Sequence, residues 1–298
     1  MNNQTKAYIY AGLTILFWST VATAFKIALA EQSIYQILLV ASLSSLFVLG
    51  ISLIISGKYK LILNSSKREM LYSAGMGFLN PFFYYLILFK AYDNLPAQVA
   101  QPLNLIWPII IVIISIPLLK QRVELKSFIA LFVSFAGIIL VSSQGGGRFF
   151  KTEQIPFMLL AVSTSIIWSF YWIMNVRDKR DESTKLFLGF FFACIFLLVG
   201  SFFIDNPFPS GIKQWSVSIY IGFFEMGLAF LFWLKALQLT KSTDKISNLI
   251  FIFPFISLIF IHYFLGEAIH MTTLYGLLLV VAGIFLQKTN FRKRKNVS

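Results

Sequence analysis

Residues 104–108 read NLIWP, and residues 248–254 read NLIFIFP. The prolines that end the two runs are 146 positions apart, and the glycines of two later AGI triplets, at 136–138 and 282–284, have the same separation. Both copies lie inside apolar stretches that are long enough to cross a bilayer. The repeat therefore indicates a duplicated unit within a membrane-embedded chain, an organisation in which the two copies meet around a site near the middle of the membrane.

The composition is that of a chain whose solvent is lipid. Of its 298 residues, 58% are hydrophobic and 12% are charged, and the mean hydropathy is +0.78. A soluble domain of this size could not bury so much apolar surface. The sequence predicts an all-α integral membrane protein with ten transmembrane helices, each close to the roughly 20 residues that a spanning helix needs. They are expected near 7–30, 34–56, 70–91, 97–119, 126–143, 155–174, 186–204, 215–239, 245–265 and 271–288.

The charges of the connecting segments predict the orientation of the chain. With the N-terminus in the cytoplasm, most lysines and arginines fall on cytoplasmic segments, including the tail FRKRK at 291–295. The other side carries Lys90, Arg148, Lys151 and Lys213. This asymmetry predicts a multi-pass protein with both termini cytoplasmic. The net charge of +13 is thus explained by topology, and the partner that it indicates is the lipid bilayer, with no nucleic acid.

The two copies are predicted to be inverted relative to each other. Five spans fall in residues 1–144 and five in residues 145–298. Because five is an odd number, the second unit enters the membrane from the opposite side, which gives two inverted five-helix repeats around a central cavity. Two such halves can exchange conformations and expose the cavity to either side in turn. This favours a secondary transporter of a small-molecule substrate.

Prolines interrupt the fourth and ninth spans. Pro102 and Pro108 lie within the fourth span, and Pro254 occupies the corresponding place in the ninth. Each internal proline removes a helical hydrogen bond, and a bilayer tolerates broken helices only where protein or a water-filled cavity satisfies the freed carbonyls. Two interpretations stay open: a static kink that shapes packing, or a hinge whose carbonyls line the substrate path.

Glu225 is the sharpest candidate for a functional group. It lies near the middle of the eighth span, where a carboxylate costs about 2.5–3.5 kcal/mol on insertion scales. The repeat pairs it with Asn80 in the third span, so both halves are predicted to place a polar group at matching depth. Glu225 is interpreted as serving transport, by coupling to a proton or by pairing with a substrate ammonium. The alternative is a protonated residue that is hydrogen-bonded between helices.

Other polar and aromatic side chains are predicted at the same depth. Lys26, towards the outer end of the first span, either extends its ammonium to the interface or contacts a substrate anion. The amides of Gln101, Asn104 and Asn175 either touch substrate or only one another. The aromatic candidates for the cavity wall are Trp18, Tyr84, Trp107 and Trp168.

The sequence offers no pattern for a metal, a cofactor or enzyme catalysis. His262 and His270 have no second histidine or cysteine nearby, and Cys194 is the single cysteine. The glycine run at 145–147 lacks the Lys-Ser/Thr of a phosphate-binding loop, so ATP is not expected to drive the protein directly. A membrane-embedded enzyme or a non-transporting scaffold is the interpretation from a different class.

Several motifs resemble the EamA-like family of the drug/metabolite transporter superfamily. They are the ten-span repeat pattern, FWST at 17–20 followed by Lys26, the NLIWP run, and GEAI at 266–269. The resemblance covers essentially the whole chain, and in part it is similar to the aromatic amino-acid exporter branch. It implies a bacterial inner-membrane exporter of amino acids or other small metabolites, with a cavity lined mainly by spans one, three, four, six, eight and nine. Within the same class, the alternative is a broad-spectrum efflux pump for drugs or cations.

Overall fold

The computed structural model describes residues 2–107, 109–111, 113–114, 125–143, 152–240, 246 and 249–288. Within these ranges every regular element is helical, which confirms the prediction of an all-α chain. The α-helices are α1 (Asn3–Leu29), α2 (Ile34–Ile55), α3 (Tyr59–Leu63), α4 (Lys67–Gly77), α5 (Tyr84–Asn94), α6 (Ala97–Asn104), α7 (Leu125–Ser142), α8 (Ile155–Arg177), α9 (Glu182–Gly200), α10 (Ile212–Tyr220), α11 (Ala229–Leu239), α12 (Phe253–Leu265) and α13 (Met271–Lys288).

Five helical stretches in the described residues are long and apolar enough to cross a membrane. They are Asn3–Leu29, Ile34–Ile55, Thr152–Asn175, Glu182–Phe203 and Ile212–Leu239. Shorter apolar helices add Ala97–Ile111, Phe132–Val141, Ile250–Leu265 and Met271–Leu286. The structure therefore has the helices of a multi-pass membrane protein, while the number of ten spans and the division at residue 144 stay predictions.

Two irregular segments join α-helices at equivalent places in the repeat. Phe78–Phe83 joins α4 to α5, and Ile221–Leu228 joins α10 to α11. The residues that the repeat pairs, Asn80 and Glu225, lie inside these two segments. Ile221–Leu228 is π-helical, and a π-helical turn holds an extra residue and occurs frequently at functional sites. Phe78–Phe83 contains a kink instead, because Asn80 is extended before Pro81. The sequence repeat is thus matched by a repeated irregularity in the backbone.

The helices of one half pack against those of the other half in a repeated pattern. Helix α1 contacts α11 and α12, and its counterpart α8 contacts α5 and α6. Likewise α2 packs on the segment 221–228, and α9 packs on 78–83. Helices α7 and α13 pack on each other, where a Cβ atom on Gly137 would come within 2.5 Å of the carbonyl oxygen of Gly276. Small residues permit such close approach where lipid supplies no hydrophobic drive for association.

Serine hydroxyls lie close to backbone carbonyls of the proline-containing fourth and ninth spans. Ser169 Oγ on α8 shares its proton between the carbonyl of Ser165 at 2.6 Å and that of Trp107 at 3.0 Å. Ser19 Oγ on α1 shares its proton between the carbonyl of Ile15 at 2.7 Å and that of Phe253 at 3.2 Å. Trp107 and Phe253 are 146 positions apart, as in the sequence repeat. Ser165 Oγ also bonds the carbonyls of Leu103 and Asn104, each at 3.0 Å. The carbonyl of Asn104, which loses its helical N–H donor because residue 108 is proline, therefore has a partner in protein, as a bilayer requires.

Candidate functional site

A cavity of about 580 Å³ lies between the two halves. Its wall comes from α1, α5, α6, α8, α11, the segment 221–228 and the start of α12. These elements belong to the first, third, fourth, sixth, eighth and ninth predicted spans, which agrees with the lining that the family resemblance implied. Seven predicted site residues line the cavity: Trp18, Tyr84, Gln101, Asn104, Trp107, Trp168 and Glu225.

Glu225 and Tyr85 form the most buried polar contact of the cavity wall. The Tyr85 hydroxyl donates to Glu225 Oε1 at 2.9 Å, and the two side chains are 1% and 8% exposed. Glu225 Oε2 is buried and has no hydrogen-bond partner among the described residues. An acceptor without a partner at this depth carries a desolvation penalty. The carboxyl group is therefore incompletely satisfied, and it can take a proton or a cationic donor.

Asn104 connects three helices at the cavity wall. Its Nδ2 donates to Thr164 Oγ1 on α8 at 2.8 Å, and to the Tyr84 hydroxyl on α5 at 3.1 Å. Sequence reasoning did not single out Thr164, because a threonine in an apolar helix is usually bonded within its own helix. The amide fixes the cavity ends of α5, α6 and α8 relative to one another.

The side chains of Asn80 and Asn175 lie outside the cavity lining. Both are buried, and both interact with the hydroxyl of Tyr171. Asn80 leaves the helical conformation, with φ −149° and ψ 121°, because the residue before a proline is disfavoured in the α region and Pro81 follows. The repeat thus predicts a shared segment for Asn80 and Glu225, but the structure does not bring the two side chains together in one cavity.

Lys26 belongs to a clamp at one end of the cavity. Its Nζ donates to the carbonyl of Tyr92 at 2.8 Å and to that of Leu95 at 3.2 Å, at the end of α5. Glu267 accepts from the backbone N–H of Ala97 at 2.8 Å and of Gln98 at 3.3 Å, at the start of α6. An ammonium on terminal carbonyls and a carboxylate on terminal N–H groups both match the helix dipole. Together they fix the α5–α6 connection.

The prolines predicted as hinges have different surroundings. Pro102 lies inside α6, where it removes one helical hydrogen bond. Pro254 lies in the first turn of α12, a position at which an N–H needs no helical partner. A short 3₁₀ turn, Ile250–Ile252, precedes it. Pro108 lies outside the described residues.

Aromatic rings form most of the cavity wall around the carboxyl group. The Trp18 ring lies 5.7 Å from that of Trp233, and the Trp168 ring lies 5.0 Å from Tyr84 and 5.8 Å from Phe230. Among the described lining residues, Glu225 is the one with an acidic or basic side chain that can be charged at neutral pH. Such a wall suits a flat or apolar body that carries an amino group, because aromatic faces attract cations.

This architecture, with apolar helices around an aromatic cavity, is that of a membrane transport protein. Residues 5–143 and 155–287 each match the model of the EamA-like transporter family. The chain therefore belongs to the EamA-like transporter family, which confirms the predicted resemblance. Members of this family are transporters rather than enzymes, so the prediction that the chain is not an enzyme is confirmed as well.

Curated relatives are distant and cover only part of this chain. An uncharacterized transporter of Archaeoglobus fulgidus is 25% identical over 57% of this chain and 60% of its own length. The aromatic amino acid exporter YddG of Ancylobacter novellus is 28% identical over 51% of this chain and 53% of its own length. The uncharacterized transporter YxxF of Bacillus subtilis is 20% identical over 89% and 84%. The matched region thus spans little more than half the length of the first two relatives.

A solved crystal structure shares the fold. It superposes with a TM-score of 0.67 over 95% of this chain and 96% of its own, at 21% sequence identity. At this identity the likeness concerns the fold alone.

Proposed function

We infer that this protein is a secondary transporter that exports small metabolites such as amino acids across the bacterial inner membrane. In this proposal the chain crosses the bilayer ten times, as two inverted five-helix repeats with both termini in the cytoplasm. Three observations support it: membership of the EamA-like transporter family, the repeated packing of the two halves, and the positive-inside distribution of charge. The single observation that carries it is the cavity of about 580 Å³ between the halves.

The shape of the cavity supports alternating access. With the predicted orientation, the clamp of Lys26 and Glu267 lies at the external end. The wall continues in the other direction to Leu237 and Ile250, which lie near the cytoplasmic ends of their predicted spans. In this proposal the substrate enters the cavity from the end opposite the clamp, which is the cytoplasmic end in the predicted orientation and the side from which an exporter takes up its substrate.

Glu225 and Asn104 are the proposed substrate-contacting groups, with Gln101, Trp107, Trp18, Trp168 and Tyr84 as the surrounding wall. The Glu225 carboxyl takes either the substrate ammonium or a proton as the coupling ion. Its free Oε2 supports both roles, since each supplies the missing donor. Asn80, Asn175 and Lys26 act outside the cavity, on the packing of the third and sixth spans and on the external connection.

The aromatic amino acid exporter among the relatives favours amino acids with an aromatic side chain. The tryptophan and tyrosine rings of the wall, which are tilted against one another, offer apolar faces to such a body. The same rings and the single carboxyl of the described wall also favour the second candidate, an efflux pump for organic cations.

Flux measurements in proteoliposomes test this function. L-phenylalanine and phenethylamine share a ring and an ammonium but differ in the carboxylate, so counterflow of each probe separates amino-acid export from cation efflux. We expect Glu225→Gln to lower the rate of counterflow at least tenfold, and Glu153→Gln, which replaces an exposed carboxyl, to leave it unchanged. Unaltered transport by the combined Glu225→Gln and Asn104→Ala variant would remove both residues from the mechanism. The absence of flux for every amine and amino acid probe would contradict the function.

A further inference from the structure

A second cavity, of about 340 Å³, lies on the opposite side of the segment 221–228 from the central one. It is a groove between α2 and α11. Phe223 and Leu228 of the segment line this groove, whereas Glu225 lines the central cavity. The two cavities share no described lining residue, so a ligand of the groove is separate from the transported substrate.

The groove is apolar at one end and basic at the other. Its deeper wall is formed by side chains from the interior of α2 and from the segment 221–228, such as Val48, Ile51 and Phe223. Lys58 and Lys235 line the other end, close to where α2 and α11 terminate. The ends of membrane-spanning helices lie at the level of the lipid headgroups. The groove thus has the polarity of a phospholipid: an anionic group at the interface and acyl chains towards the bilayer centre.

The two lysines differ in how far their charges are already compensated. Lys58 Nζ bonds Asp181 Oδ2 at 2.5 Å, which neutralises much of its charge. Lys235 is exposed, and its Nζ lies 5.7 Å from the centre of the Tyr10 ring. Among the described residues, Lys58, Lys235 and Asp181 at this end leave an excess of one positive charge. Ser56 and Gln238 add uncharged polar groups beside them.

We propose that this groove binds an anionic phospholipid. The phosphate of the headgroup lies at Lys235, with Lys58 and Ser56 beside it, and an acyl chain lies along Ile51 and Phe223. Basic pockets between transmembrane helices bind anionic headgroups in this way, and each lysine near the surface adds about 1 kcal/mol. A soluble anion has no acyl chain and would leave the apolar wall of the groove uncovered. The proposal does not depend on which solute the central cavity transports.

Lipid binding to the purified full-length protein tests the proposal. We expect native mass spectrometry to detect dioleoyl phosphatidylglycerol bound more tightly than dioleoyl phosphatidylcholine, which has the same chains. Lys235→Gln is expected to weaken phosphatidylglycerol binding about fivefold, the factor that corresponds to ~1 kcal/mol. Lys90→Gln is the matched control, since the repeat pairs Lys90 with Lys235 and Lys90 lies outside the groove. Equal binding of the two lipids, or equal effects of the two variants, would overturn the proposal.

Asp181→Asn supplies a test of opposite sign. Asp181 caps α9 by accepting from the N–H groups of Ser183 and Thr184 at 3.1 and 3.2 Å, and asparagine caps a helix equally well. The substitution releases the charge of Lys58 without removing the cap, so phosphatidylglycerol should bind several-fold more tightly. Unchanged or weaker binding contradicts the headgroup position. Stabilisation by glycerol phosphate alone identifies a soluble-anion site, and a dimer in place of bound lipid identifies a second copy as the occupant; either result overturns the proposal.

Discussion

The hydroxyl of Tyr85 donates a hydrogen bond of 2.9 Å to Oε1 of Glu225, although the two residues are 140 positions apart in the chain. Tyr85 comes from the first half of the repeat and Glu225 from the second. The bond therefore joins the halves at the wall of the cavity that lies between them. Movement of one half against the other changes the distance between these two side chains unless they move together. The length of this contact therefore indicates the relative position of the halves in the proposed transport cycle.

Tyr85→Phe should alter substrate affinity through the Glu225 carboxyl. The substitution removes the described donor to Oε1, and a hydrogen bond to a charged group contributes about 1.5–3 kcal/mol. We expect the KM of counterflow to change about tenfold or more, because the carboxyl must find its donor in substrate or proton. Tyr72→Phe is the control, since the Tyr72 hydroxyl donates to the carbonyl of Met174 and Tyr72 lies outside the cavity lining. Equal effects of the two variants would show that the Tyr85 contact has no special role.

Two glycines of α4 should respond in opposite directions to alanine. A Cβ atom on Gly77 would overlap the carbonyl oxygen of Gly189, so Gly77→Ala should lower the free energy of unfolding by about 1–3 kcal/mol. Gly75 has nothing within 4 Å of the same position, and Gly75→Ala should stabilise the helix by up to about 1 kcal/mol. Thermal unfolding in detergent measures both variants. A Gly77→Ala protein as stable as Gly75→Ala would mean that α4 and α9 do not pack this closely.

Glu267→Ala should open the clamped end of the cavity. The substitution removes the acceptor for the N–H groups of Ala97 and Gln98. Because these bonds are to a charged group, their loss should shift the equilibrium between the closed and open forms of this end towards the open form by about tenfold or more. The measurement is the labelling of Leu88→Cys by an impermeant maleimide applied from that end, in a Cys194→Ser background. Leu88 lines the cavity and is 4% exposed.

Glu31→Ala is the control for this experiment, because Glu31 forms only an exposed ion pair with Lys213. Its labelling should match that of the unaltered background, since exposed pairs contribute little. Fast labelling of Leu88→Cys with the clamp intact would show that this end of the cavity is open in the resting protein.

Acid should destabilise the connection between α8 and α9, which lies outside the helices that cross the membrane. Burial raises the pKa of the Asp178 carboxyl, but the hydrogen bonds and charge of Arg180 outweigh it and hold the pKa below its ordinary value. A carboxyl whose pKa is lower in the folded state stabilises the fold above its unfolded pKa of about 3.9, and this contribution is lost as the pH falls towards the folded value. The Tm should therefore decrease as the pH is lowered below about 4.

Asp178→Asn should lower the Tm near neutral pH and reduce the decrease in Tm that acid causes in the wild type. Asp205→Asn, which replaces an exposed carboxyl, controls for the loss of one negative charge. A Tm profile of Asp178→Asn that runs parallel to the wild type from pH 7 to pH 3 would contradict the role of the Arg180 pair.

The hydrophobic pattern and the repeat spacing predict much of this fold because both reflect what a membrane requires of a helical backbone. A spanning helix must be apolar over its whole length, so the first span, expected at 7–30, closely matches α1 (Asn3–Leu29). The repeat pairs Asn80 with Glu225, and the structure places both in irregular segments that join two α-helices. The count of ten spans and the inversion of the halves stay predictions.

Side-chain direction could not be predicted in the same way. Sequence spacing assumes a regular helix, but the backbone at Asn80 is extended next to Pro81, which turns the amide towards Tyr171. In the fourth span, expected over 97–119 with interruptions at its prolines, α6 ends at Asn104, and the sequence alone does not give the residue at which the helix ends. The role of Lys26 depends on carbonyls more than 60 positions away, for which a sequence without the fold gives no signal.

The extra residue in the π-helical segment Ile221–Leu228 sets the angular phase of the helix that follows it. An α-helix turns about 100° per residue, so deleting one residue from Ile221–Leu228 would swing Phe230 and Trp233 away from the central cavity. Phe78–Phe83 holds a kink at Asn80 in the equivalent place, and a deletion there would change the directions of Tyr84 and Tyr85, which follow the kink. A change in the length of either segment therefore redirects the cavity-lining side chains of the helix that follows it, whereas a substitution that keeps the length does not. Length is the property that these two stretches have to keep.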